Sequence, residues 1–122
     1  MSAVIAQKNV KLKRAYDRPT PDDGIRILVD RLWPRGVRKA DAAIDHWIKH
    51  VAPSAALRQW FGHDPVRWDE FKQRYRQELK EHQAEIKQLR GLARHRVITL
   101  IYAARDEAHN EAIVLRDYLL HH

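Results

Sequence analysis

The chain has 122 residues, 44% of them hydrophobic and 32% charged, which fits one small domain with a buried core and excludes intrinsic disorder. It has no cysteine, so disulfides, thiolate metal sites and thiol nucleophiles are excluded, and no apolar run approaches the roughly 20 residues of a membrane span. The net charge is +7, and residues 1–39 carry ten Lys or Arg against four Asp or Glu, a net of +6, which favours an anionic partner or a solvated basic face.

Residues 1–8 are expected to be a loose start. They hold no basic stretch ahead of a long apolar run, so a secretory signal is not expected and a cytoplasmic location is. Val10 to Tyr16 alternates apolar and basic residues, the period of a strand with one face buried, and Lys11 and Lys13 mark it as an edge strand. Asp17 to Gly24 is rich in Pro, Asp and Gly and reads as a loop. Ile25 to Asp30 is a second strand, apolar enough for the middle of a parallel sheet.

That strand opens into residues 30–39, which hold three Arg, one Lys, one Trp, one Pro and one Gly. Pro34 and Gly36 forbid a regular helix there. Arg31 and Arg35 offer forked donors to a phosphate or carboxylate, and Trp33 offers a face for a planar ligand. The competing expectation is that Trp33 plugs the core while the arginines pair with Asp30 and Asp41. Residues 40–51 fit either a helical stripe through Ile44, Trp47, Ile48 and Val51 or a short strand over 45–51.

Ser54 is placed to cap a helix over 55–61 that Gly62 stops, and Asp64 with Pro65 opens another reaching about residue 81. Its stripe of Trp68, Phe71, Tyr75 and Leu79 reads as core. Ile86 and Leu89 continue the helical period to about Arg90, where Gly91 is expected to interrupt it. The basic group 90–96 fits a helix C-terminus. Val97 to Tyr102 is a buried strand. Asp106 is the expected N-cap of a closing helix over about 107–120, and the gap before that helix is a place for an anion beside Arg105.

This order predicts an α/β fold: a two-layer or three-layer sandwich with a mostly parallel sheet of about four strands and flanking helices. Ligands in such sheets gather beyond the carboxyl ends of the strands, where residues 30–39 and 105–110 are expected to meet. Of the eight histidines, none has zinc-motif spacing, and His121 and His122 close the chain. No metal or cofactor is implied, and the oligomeric state is open.

Four segments together resemble one family. They are Leu28 to Gly36, Ala52-Pro53-Ser54, Trp60 to Pro65 and Tyr102 to Asn110, within a match running from about Val10 to Leu119. They are similar to the YeaO-like proteins, small bacterial proteins classed under a domain of unknown function. The other branch of that superfamily carries a cysteine near the position of Tyr102 and a Cys-His pair near His109-Asn110. The resemblance therefore implies a retained pocket without thiol chemistry, lined by Asp30, Arg31, Arg35, Arg105, His109 and Asn110, and it favours a strand over 45–51.

Three functions follow as expectations. The first is a site for a small anionic, phosphate-like or nucleotide-like ligand. There Arg31, Arg35 and Arg105 hold the anion with Trp33, Asp106 and Asn110 around it. His109 acts as general acid or base, Asp30 orients a water or basic group, and Tyr102 donates a hydrogen bond. The second is a non-catalytic binding or regulatory module that kept the pocket. The third is nucleic-acid binding through the basic first third, for which no binding motif is present.

Overall fold

The computed structural model describes residues 5–122. Of the expected loose start, residues 1–4 lie outside the described residues. Residues 5–8 are anchored: Ile5 is buried in the core and Gln7–Asn9 form a 3₁₀ turn.

Four strands form one sheet in the order β1-β4-β2-β3, every pairing parallel. They are β1 (Val10–Arg14), β2 (Ile25–Leu28), β3 (His46–Trp47) and β4 (Ile98–Tyr102). β1 is an edge strand, as its lysines imply. All five residues of β4 are buried, which suits a strand with a neighbour on either side.

The two sheet faces are covered differently, giving two layers rather than three. On one face Val10, Ile27, Ile98, Leu100 and Tyr102 pack against α2 (Ala55–Phe61), α3 (Trp68–Leu79), α4 (Gln83–His95) and α5 (Glu111–His121). On the other, Leu28 and Ile101 are covered by Trp33, Ile44 and Trp47 from the connection between β2 and β3, which also holds the one-turn α1 (Lys39–Ala42). Residues 45–51 divide between the two expected states, with the two residues of β3 followed by a 3₁₀ turn at Lys49–Val51.

Two basic side chains, Lys13 and Arg26, are paired on this second face. Asp23, 4% exposed, accepts from Arg26 Nη1 at 2.5 Å, Lys13 Nζ at 2.9 Å, and the Thr20 N–H and hydroxyl at 3.0 Å each. Burial would raise the Asp23 pKa, but the Thr20 N–H, Lys13, the Thr20 hydroxyl and Arg26 outweigh it and hold the carboxyl well below the ordinary range. Gly24 follows with φ +61°, and a Cβ there would sit 2.2 Å from the Val97 carbonyl oxygen, so only glycine lets β2 enter beside β4.

The helices follow their sequence signals closely in the middle of the chain. Ser54 Oγ accepts the Leu57 N–H at 3.2 Å and Gly62 ends α2 in the left-handed region at φ +54°. Asp64 caps a 3₁₀ turn that runs into α3. α4 passes straight through Gly91 instead of ending near it. The packing of Ile86, Leu89 and Ala93, all buried, outweighs the roughly 1 kcal/mol that one interior glycine costs. No helix among the described residues is long and apolar enough to cross a membrane.

Candidate functional site

Because the strands are parallel, the carboxyl ends of β1, β2 and β4 share one rim. Asp30, just past β2, joins two of them. Its Oδ2 accepts the Ala103 N–H at 2.9 Å, and its own carbonyl accepts the Trp47 indole N–H at 2.7 Å. Tyr16, just past β1, donates its hydroxyl to the Arg35 carbonyl at 3.0 Å, and Arg14 Nε donates to the Ala104 carbonyl at 3.0 Å. These bonds close residues 30–35 and 103–111 around a cleft of about 680 Å³. That volume lies in the range of small-molecule sites, about 300–1,000 Å³.

Seven of the residues expected from sequence line this cleft: Asp30, Trp33, Arg35, Arg105, Asp106, His109 and Asn110. Trp33 packs against the core of the second sheet face, the structural one of its two expected roles. Its ring packs edge-on against Trp47 with centroids 5.5 Å apart, its N–H reaches the Val37 carbonyl at 2.6 Å, and it still borders the cleft. Arg38, not Arg31 or Arg35, pairs with Asp41.

Two expected residues lie elsewhere. The chain bends after β2, and Arg31 turns to the connection before α2, where its Nη2 meets the Ala52 and Pro53 carbonyls at 3.4 Å each. Tyr102 is the last residue of β4 and follows the pleat into the helix-covered core, leaving it 4% exposed. Burial pushes its phenol pKa up, and the hydroxyl lies beside Asn110 rather than in the cleft.

The closing helix also starts later than expected, at Glu111, with Asn110 as its cap: Asn110 Oδ1 accepts the Ile113 N–H at 3.1 Å. Asp106 caps a separate turn. Its Oδ1 accepts the N–H groups of Ala108 and His109 at 2.9 and 3.0 Å, and its Oδ2 meets His109 Nδ1 at 2.9 Å. The Ala108 N–H and the His109 ring hold the Asp106 carboxyl below its ordinary pKa. His109 is thereby clamped, with Trp68 edge-on at 5.3 Å on its other side. Nε2 is the ring nitrogen left to meet a ligand.

The cleft is also lined by Arg58, Phe61, His63, Phe71 and Glu111, none of which the sequence places in the site. Glu111 is the first residue of α5, and an acidic side chain in that first turn suits the positive end of the helix. Burial, followed by the neighbouring Asp30 carboxyl, pushes its pKa well above the ordinary range and so favours its protonated form. Arg58, on α2, partly offsets the shift, and its Nε is buried without a hydrogen-bond partner.

The positive charge of the site rests on Arg35, Arg58 and Arg105. Among the described residues none of the three forms an ion pair, whereas Arg26, Arg38, Arg67, Arg74 and Arg76 all do. Such guanidinium groups keep their forked donors available to a phosphate or carboxylate. His63 stands beside them with φ +57°, a left-handed backbone in which histidine is one of the better tolerated residues.

Comparison with known proteins agrees with the resemblance of the motifs. The chain is 44% identical over 111 residues to "Uncharacterized protein YeaO" of Escherichia coli (strain K12), covering 91% of this chain and 96% of the relative. It is 43% identical over 116 residues to "Uncharacterized protein Mb3100c" of Mycobacterium bovis and to "Uncharacterized protein Rv3073c" of Mycobacterium tuberculosis, covering 95% of this chain and 98% of each relative. No solved structure matches. The model of the DUF488-N3i family, described as "Inactive DUF488-N3 subclade", matches residues 9–122, and the chain belongs to that family.

Proposed function

We propose that the protein binds a small phosphate-bearing ligand in the cleft at the strand ends and acts there as a binding module of the cytoplasm. One observation carries the reading: Arg35 and Arg105 from two loops and Arg58 from α2 line one cavity, and none is spent on an ion pair among the described residues. The absence of cysteine and the word "Inactive" in the family description favour binding over turnover. Nucleic-acid binding draws less support, because Lys11, Lys13, Arg14, Arg26 and Arg31 of the basic first third donate to the protein's own oxygens.

The reading is tested by thermal denaturation with inorganic phosphate, pyrophosphate and nucleoside monophosphates. A ligand at ten times its Kd adds about 1.4 kcal/mol of stability, which raises Tm by about 5 °C in a chain of this size. Arg105→Ala is expected to abolish most of that rise with little effect on the unliganded Tm, since Arg105 is exposed. No shift with any of these ligands would overturn the proposal.

A further inference from the structure

The cleft has two chemically different ends. Arg35 and Arg105 are exposed at its mouth, while Asp30 and Glu111 face one another inside, beside Arg58. Building on the anion-binding reading above, we propose that the ligand is a phosphorylated sugar or polyol, with its phosphate on the arginines and its hydroxyl groups on the Asp30–Glu111 pair.

The interior end would repel a second phosphate and so rejects polyphosphates. It also has little reason to prefer an ammonium group. Burial and the Asp30 neighbour favour the protonated form of Glu111, and the Arg58 guanidinium lines the same space. What such a pair offers is one O–H donor together with several acceptor lone pairs, which is what adjacent hydroxyls require.

The test is calorimetric titration of the full chain with inorganic phosphate, ribose and ribose 5-phosphate. Ribose 5-phosphate is expected to bind about tenfold or more tighter than inorganic phosphate, the gain from one or two hydrogen bonds to a charged pair. Ribose alone is expected to bind weakly. In Glu111→Gln the tenfold advantage should fall to about twofold while phosphate affinity stays the same, and Asp30→Asn is the second variant should the first fail to fold. In Arg105→Ala both phosphates should weaken together. Equal affinity for phosphate and ribose 5-phosphate would overturn the hydroxyl role and leave the anion site standing. Failure of both to bind would overturn both proposals.

Discussion

The buried carboxylate at Asp23 gives the sharpest test of how the sheet is held. Asp23→Asn keeps the volume of the side chain but removes the charge that compensates Arg26, which is itself only 4% exposed. Removing one partner of a buried pair costs about 3–5 kcal/mol, because the other charge is left in a poorly solvated place. At about 2.1 cal/mol/K per residue the unfolding entropy of 122 residues is about 0.26 kcal/mol/K, so Tm should fall by about 12–20 °C. The pH dependence supplies a second check. The folded pKa of Asp23 is depressed below its unfolded value, so the unfolded chain binds the extra proton between the two. The stabilisation is complete above about pH 4 and is lost as pH falls toward the folded pKa. Thermal melts of wild type and variant from pH 2 to 7 should show a gap that is widest near neutrality and narrows in acid. A drop under about 4 °C at pH 7, or a gap that widens in acid, would refute the buried-pair argument.

Three further outcomes follow from the same structure. Gly91→Ala should stabilise the protein by about 0.5–1 kcal/mol in urea denaturation, because Gly91 lies inside α4 and a Cβ there meets nothing within 4 Å. Glu111→Gln should raise stability at pH 7 and flatten its pH profile. The raised folded pKa means that wild type is most favoured below the unfolded value near 4.5 and loses that contribution as pH rises, which urea melts at pH 4.5 and 7.5 would show. Tyr75→Phe should cost about 1–3 kcal/mol in the same assay, since the fully buried hydroxyl donates to the Val51 carbonyl at 2.6 Å and its loss leaves that oxygen without its donor.

Which features could be read from sequence depends on how local their cause is. Ser54, Gly62 and Asp64 act on backbone within three residues of themselves, and the sequence places each correctly. The start of the last helix is harder. Asp106 and Asn110 are both good caps, and the apolar stripe of Ala112, Leu115 and Leu119 follows either start. Asp106 is drawn off by the two N–H groups of its own turn. The two residues of β3 are too short to show a period at all. For the site, the meeting of two strand ends follows from parallel topology and was legible. Which arginine of residues 30–35 turns inward was not, since it depends on a bend set by Asp30 reaching Ala103 across the sheet. Glu111 was hidden for the opposite reason. A glutamate in a first helical turn needs no special explanation until Asp30, 81 positions earlier, is found against it.

The most direct measurement of the central claim is a titration of the ¹⁵N-labelled protein with inorganic phosphate, followed through the arginine side-chain Nε–H resonances and the backbone amides. Saturable shifts are expected at Arg35, Arg58 and Arg105 and in the amides of residues 103–110, with Arg26 and Arg116, both held by the protein's own oxygens, unmoved. Small unsaturated shifts spread over every exposed Lys and Arg, or shifts centred away from the cleft, would contradict it.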